Sequence, residues 1–582
     1  MSITPRGMSI QEAYRNYSDG KFLVNRKYQR KLVWTVDEKE FLIDSINKGL
    51  PIPLILLAQT DDGRFEIIDG LQRLNAIFSF IECRFSLNSQ YFDVNQFSRA
   101  KQRGDVGEFE YKTTNLLPAE NCANILDYQL AVTIYPSSEE AEVTDIFGRI
   151  NSGGKQLSPQ EKRQAGMLDS FSDVVRKLAS EIRGDSSEDQ VDLSQMPEIS
   201  IDSNREDIGY GLKADDIFWC EQGILWKSQL RDSEDEEMIA DIIASIVKGE
   251  PIPRSKELFD KFYDQDDDEH KTLNTLLTTY SHDRLIHEVK VTFSIIEKIF
   301  EDEGCTIREA VNPKSSNPVK GSFFALFMSI FQLVVTEEKS PDQSDKIIEA
   351  IKGLQQEMIA SAKYSTTADR QRNINKTVGL IQPYFVKRDP PVLRHGAGLS
   401  MDFENSVRRS KVETNRYECK QGFVNLSPAR DINENLYERI VETICGIANV
   451  GPESDGYVFI GVADEKSDSD RISRLDGIVP IEINKRFVVG VDRELAILGI
   501  SMDDYINKLL GRISSSDLSE PLKNQVTNQI DVIDYKGFSV IRLRIPKQNE
   551  MSFVGSESYT RKNSKTEKLN GPGVLAVSKL FD

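Results

Sequence analysis

The chain has 582 residues, too many for one hydrophobic core, so two to four domains are expected. At 39% hydrophobic and 29% charged, with no long biased tract, its composition excludes a fibrous or largely disordered polypeptide. The net charge of −20 is unevenly spread. Residues 1–180 and 400–582 are each within about three charges of neutral, whereas 181–399 hold roughly −15, so a polyanion is expected to meet the ends of the chain and not its middle.

The opening Met1-Ser2-Ile3-Thr4-Pro5-Arg6 lacks the apolar core of a signal peptide. The longest nearly apolar run, 322–335, is too short to cross a bilayer and reads as a buried helix. The first segment mixes strands and helices. Leu54-Ile55-Leu56-Leu57 and Phe65-Glu66-Ile67-Ile68 read as strands around the turn Asp61-Asp62-Gly63. Leu71, Leu74, Ile77, Phe78 and Ile81 recur at helical spacing. Residues 129–135 read as a strand and 138–150 as a helix, and Ser158-Pro159-Gln160-Glu161 is a helix start. From about 180 to 385 the pattern is mostly helical, and Arg388-Asp389-Pro390-Pro391 with His395-Gly396-Ala397-Gly398 reads as a linker. Beyond it, strands are expected at 416–420, 457–462 and 538–545, and a helix over 434–449. The domains are therefore drawn at 1–180, 181–388 and 400–582.

Six scattered cysteines contain no CxxC pair, which gives neither a zinc spacing nor a disulfide framework and suits a reducing, cytoplasmic location. The four histidines form no ligand pattern either. His282 and His287 are five apart and do not share a helical face as an HExxH pair would, so a histidine-based nuclease or protease is not expected.

Chemistry concentrates in two places. In the first, Asp69-Gly70-Leu71-Gln72-Arg73 lies where a strand turns into a helix. Free N–H groups at the helix start favour phosphate, Arg73 can add a bidentate contact, and Asp69 can hold a cation or simply cap the helix. The box is accompanied by Asn25-Arg26-Lys27-Tyr28-Gln29-Arg30, Trp34, Gly49-Leu50-Pro51-Ile52-Pro53, Phe147-Gly148-Arg149-Ile150-Asn151-Ser152-Gly153-Gly154 and Leu157-Ser158-Pro159-Gln160-Glu161-Lys162-Arg163. Together these resemble the N-terminal domain of GmrSD-type modification-dependent restriction proteins, a ParB/sulfiredoxin-like α/β fold with an Asp-Gly-Gln-Gln-Arg motif. The resemblance implies that Asp69, Gly70, Gln72 and Arg73 bind or hydrolyse a nucleoside triphosphate, with Gln29, Arg30, Arg149 and Asn151 in support. Leu71 stands where that family usually has its first glutamine, which removes one amide contact.

In the second place, the strand at 417–420 sets Glu418 and Lys420 on one face and Cys419 on the other. A carboxylate and a lysine so placed suit metal-assisted phosphodiester cleavage, although E-x-K alone is common in charged sequence. Glu413-x-x-x-x-Glu418-x-Lys420, a helix ending Ile447-Ala448-Asn449, then Gly456-Tyr457-Val458-Phe459-Ile460-Gly461-Val462-Ala463-Asp464 and Tyr559-Thr560-Arg561-Lys562-Asn563-Ser564 resemble, in this order, the AlbA-like core of the Schlafen family. An insertion at 450–455 replaces that family's tight Gly-Gly turn. The resemblance implies a catalytic acidic triad of Glu413, Glu418 and Asp464 holding Mg²⁺ or Mn²⁺, with Lys420 beside it. Arg408, Arg409, Lys411, Arg416, Arg561, Lys562 and Lys565 supply positive charge for a nucleic-acid backbone. Related restriction proteins end in an HNH nuclease, but no histidine follows His395, so the Schlafen-like module takes the effector position.

The expected architecture is an α+β multidomain chain: a ParB/sulfiredoxin-like domain, an acidic helical middle and a Schlafen AlbA-like α/β domain. The expected function is prokaryotic antiphage or antiplasmid defence, in which an NTP-binding domain controls a metal-dependent endonuclease acting on RNA or DNA, with no membrane partner. Two alternatives stay open: a non-catalytic nucleic-acid-binding regulator, and an NTPase switch without nuclease activity. Self-association is also left open.

Overall fold

The computed structural model describes residues 4–27, 31–136, 158–164, 167, 169–201, 212–359, 365–387, 399–410 and 414–581. The chain divides into two compact units, Met1–His395 and Gly396–Asp582. The helix expected at 138–150 and the whole of the expected linker lie outside the described residues.

The first unit contains a mixed six-stranded sheet built from β1 (Thr4–Ser9), β2 (Phe22–Asn25), β3 (Ile55–Gln59), β4 (Phe65–Asp69), β5 (Gln129–Tyr135) and β6 (Gln190–Asp192), in the order β1-β5-β3-β4-β2-β6. β3 runs parallel to β5, and β2 to β4; the other neighbours are antiparallel. β3 is buried at its first four residues, as expected of a strand covered on both faces. It starts one residue later than the sequence suggests: Pro51 and Pro53 withhold two backbone donors just ahead of it, and Leu54 is 49% exposed. The edge strand β6 lies beyond residue 180, so the sheet draws on the segment read as the helical middle. Helix α1 (Val36–Asn47) opens on a reciprocal cap between Thr35 and Glu38, and α2 (Leu71–Ile81) starts at Gly70. The underlying core is aromatic, with Phe78 stacked on Tyr17 at 4.5 Å and on Phe22 at 6.0 Å between ring centres.

Further along, Ser158 and Glu161 exchange reciprocal cap bonds at the start of helix Pro159–Gln164, as the sequence indicates. The rest of the unit is mostly helical. Two short strand pairs accompany the helices: β7 (Ile199–Ser200) with β8 (Leu212–Lys213), and β9 (Lys339–Pro341) with β10 (Phe385–Lys387). The main helices are α3 (Ser170–Arg183), α4 (Glu234–Lys248), α5 (His282–Asp302), α6 (Lys320–Phe331) and α7 (Thr367–Ile381). The apolar run forms α6 and a following π turn to Thr336, and Phe323 packs on the fully buried Trp219. Arg370 of α7 lies over the Phe324 ring and makes a two-pronged pair with Asp241 of α4 at 2.8 and 2.9 Å. No helix among the described residues is long and apolar enough to cross a membrane.

The second unit is built on a four-stranded sheet of order β11-β12-β17-β16, from β11 (Tyr417–Lys420), β12 (Gly456–Ile460), β16 (Ile530–Tyr535) and β17 (Phe538–Ile545). β11 and β12 are parallel and the rest antiparallel. Helix α8 (Leu399–Arg409) covers one face, burying Phe403 and Val407 against Tyr417, Cys419 and Phe459. Helix α9 (Asn435–Ala448) covers the other, where Ile444 meets Val458, Ile460 and Ile541. The strand read at 457–462 is in fact two. Gly461, at φ +108°, breaks it, and a side chain there would come within 3.2 Å of the Ser539 carbonyl oxygen. The chain continues as β13 (Val462–Ala463), joined to the hairpin β14 (Ile481–Ile483) and β15 (Arg486–Val488). A last hairpin, β18 (Tyr559–Lys562) and β19 (Lys565–Lys568), packs on α9, where Gly446 would bring a Cβ to 3.4 Å from the Thr560 carbonyl.

Candidate functional site

The carboxylate site forms where β11 ends beside β13. Alternation along β11 buries Tyr417 and Cys419 under α8 and leaves Glu418 and Lys420 half-buried on the opposite side. Glu418 lies between two cations: Lys420 Nζ pairs with Oε1, and the Arg561 guanidinium reaches Oε2 at 2.8 Å. After β13 the chain delivers Asp464. The antiparallel register pairs Val462 with Val488 and Ala463 with Phe487, so the next partner of Asp464 is Arg486, and the two form an ion pair.

The two carboxylates sense each other. Burial raises the Asp464 carboxyl above the usual range and Glu418 raises it further, while Arg486, Lys420 and Arg561 pull it down. Five charged groups from four separate stretches of chain thus meet in one electrostatic neighbourhood. Cys419 faces away from it, and burial pushes its thiol up to about 12, which makes it a packing residue and not a nucleophile.

The surrounding loops are held by buried polar groups. Asn449, fully buried, donates to the Ser552 and Tyr559 carbonyls at 2.9 Å and accepts from the Ser552 N–H at 2.8 Å, which fixes the approach to β18. Glu494, also fully buried, accepts the N–H groups of Phe423 and Val424 at 2.8 and 2.9 Å and the Tyr505 hydroxyl at 2.6 Å. It thereby anchors the loop that leaves Lys420.

The proposed backbone-contact residues are placed differently from one another. Arg408 bonds Glu404 one turn away, at 2.7 Å. Arg409 lies over the Tyr417 ring at 5.8 Å, and Arg416 is half-exposed just before β11. Lys562 and Lys565 are exposed at the tip of the last hairpin. Arg561 is buried, its side chain 1% exposed, and turned inward onto Glu418. Glu413 and Lys411 lie outside the described residues. Among the described residues no group of three or more His, Cys, Asp or Glu could hold a metal ion. Glu418 and Asp464 nonetheless offer the hard oxygen donors that Mg²⁺ or Mn²⁺ takes.

Sequence reasoning missed Arg486 and Glu494. Arg486 had a signal: Asn484-Lys485 between Ile483 and Arg486 forms a two-residue hairpin with positive φ at both positions (48° and 64°), and this places Arg486 at a strand start. Glu494 had none, because the loop it anchors is held through backbone N–H groups about 70 residues away in sequence.

In the first unit, β4 ends at Asp69 and α2 begins at Gly70, whose φ is +103°. A Cβ there would meet Ile55 Cδ1 at 2.5 Å, so glycine is required on two counts. No side chain caps α2, and Asp69 instead pairs with Arg73 at 2.8 Å. Leu71 is buried in the core. Gln72 uses both ends of its amide on backbone: Oε1 accepts from the Val33 and Trp34 N–H groups at 3.2 and 3.3 Å, and Nε2 donates to the Lys31 carbonyl at 2.7 Å. Lys31 in turn donates to the Leu230 carbonyl at 2.7 Å, next to α4. Gln29, Arg30, Arg149 and Asn151 lie outside the described residues.

Comparison with known families finds two matches. Residues 10–168 match the N-terminal domain of the GmrSD restriction endonuclease family, and residues 413–570 match the Schlafen AlbA_2 family. No curated protein and no solved structure matches the chain.

Proposed function

We propose that this chain is a cytoplasmic antiphage or antiplasmid defence nuclease of a prokaryote, in which a nucleotide-binding first unit controls metal-dependent cleavage of RNA or DNA by the second. The observation that carries the reading is that β11 and β13 lie side by side and end on two ion-paired carboxylates, Glu418 with Lys420 and Arg561, and Asp464 with Arg486. The match of residues 10–168 to a restriction-endonuclease N-terminal domain and of residues 413–570 to a Schlafen domain supports it.

Glu418, Asp464 and Glu413 would hold the divalent ion, which supplies a polarised water and neutralises charge on the scissile phosphate. Lys420 stands beside Glu418 and steadies the phosphate oxygens as charge builds on them. The nearby cations draw in the polyanion, and Lys562 and Lys565 at the hairpin tip contact its backbone. In the first unit, Asp69, Arg73 and the uncapped start of α2 face the triphosphate, in a ParB/sulfiredoxin-like arrangement of strand and helix. Gln72 holds the 31–34 backbone in place, with one amide N–H left beyond these bonds.

Incubation of the purified protein with RNA and with DNA, in Mn²⁺ and in EDTA, tests the reading. Cleavage in Mn²⁺ that EDTA abolishes is the expected result. A second reading has its own support: each carboxylate is already neutralised by a cation, as in a module that binds nucleic acid without cutting it. Binding that survives EDTA, with no cleavage under any condition, would favour that regulator.

A further inference from the structure

We infer that Arg561 is a positioning residue for the carboxylate site: it fixes Glu418 and the turn leading into β11 so that the acidic groups are spaced for a divalent cation. The inference rests on the metal-site reading and assigns a role to a residue otherwise counted among the contacts to nucleic acid.

Arg561 is unsuited to an outer contact. Its side chain is 1% exposed, and one terminal nitrogen serves three oxygens: Glu418 Oε2 at 2.8 Å, the Tyr417 carbonyl at 3.1 Å and the Thr414 carbonyl at 3.2 Å. The other terminal nitrogen donates to Thr566 Oγ1 at 3.0 Å, and that hydroxyl is 3.0 Å from Thr443 Oγ1 on α9. The planar guanidinium thus ties four elements together: β11, the turn before it, the β18–β19 hairpin and α9.

The pair of carbonyls is the informative feature. Thr414 directly follows Glu413 and Tyr417 directly precedes Glu418 in the sequence, so one guanidinium nitrogen holds the turn at 414 and the start of β11 together. Glu418 shares its charge between Arg561 below and Lys420 on its own strand. With Arg561 gripping Oε2, the carboxylate keeps one orientation, and Oε1 with Lys420 faces the more open side. A lysine at 561 would keep the charge beside Glu418 but lose the second terminal nitrogen, and with it the bond to Thr566 that ties the site to the hairpin and α9.

The test uses the full chain as wild type, R561M and R561K, and reads Mn²⁺ binding by calorimetry, nucleic-acid binding in EDTA, and thermal unfolding. Expected are lowered melting points in both variants, which remain folded at the assay temperature, unchanged nucleic-acid binding in EDTA, and a Mn²⁺ dissociation constant raised ten-fold or more in R561M and less in R561K. Equal Mn²⁺ affinity in all three proteins would overturn the positioning role alone. Weakened nucleic-acid binding with unchanged Mn²⁺ affinity would overturn it in favour of a direct contact, and failure of both variants to fold would make Arg561 a residue of the fold only. No Mn²⁺ binding by the wild-type protein would remove the metal site itself, and this inference with it.

Discussion

Residue by residue, the structure separates groups that face a ligand from groups that hold others in place. Gln72 is the clearest case. Its position in the Asp-Gly-Leu-Gln-Arg box suggested a nucleotide contact, but its amide bonds three backbone groups of 31–34. Gln72→Ala should therefore cost about 1–3 kcal/mol of stability through the unpaired groups it leaves behind. Thermal unfolding would show the loss, and Asp69→Ala, which leaves that backbone paired, should spare stability and reduce nucleotide binding. If Gln72→Ala left the melting point untouched and removed nucleotide binding, the amide would be a ligand contact after all. Leu71, where the related motif has glutamine, is buried core and contributes packing to the box.

At the scale of elements, much was legible. Helix Leu71–Ile81 and strands Gln129–Tyr135 and Phe538–Ile545 were readable to the residue, because their apolar period is strong and their ends carry breakers. The break at Gly461 was not, because the apolar run continues through it; only the crowding of Ser539 and Gly490 shows why the chain must turn there. The partners that aim each carboxylate were hidden for a similar reason, since Arg486 and Arg561 reach the site through strand register and hairpin packing, neither of which leaves a local period. Asn449 belongs to the same class: Asn449→Ala should cost about 2–3 kcal/mol by stranding buried groups of 552–559, read as a lower denaturation midpoint of the second unit. Helix α8 adds a dependence on pH. Burial tends to raise the Glu404 carboxyl, but Arg408 and the Tyr535 hydroxyl outweigh it and leave it below the ordinary 4.5. A depressed carboxyl stabilises the fold above the unfolded value and loses that contribution as pH falls through the folded one. The melting points of wild type and Glu404→Gln should hence differ near neutrality and converge as pH falls below 4.5 and through the depressed folded value; a gap that persisted into strong acid would contradict this pairing.

For the molecule as a whole, each of two compact units carries one candidate site, and the acidic surplus lies in the helical middle, away from both candidate sites in sequence. Nucleic-acid binding carried by the basic groups of the second unit should weaken steeply with salt, with little regard to sequence. A filter-binding series from low to physiological salt checks this, and salt-independent binding would point to some other surface. The central claim, that Glu418 is a catalytic carboxylate, is tested most directly by comparing wild-type protein and Glu418→Gln in a Mn²⁺-dependent cleavage assay, with thermal unfolding run in parallel. The account expects a folded variant whose cleavage is lost while its binding to nucleic acid remains; a folded variant that cleaves at the wild-type rate would contradict it.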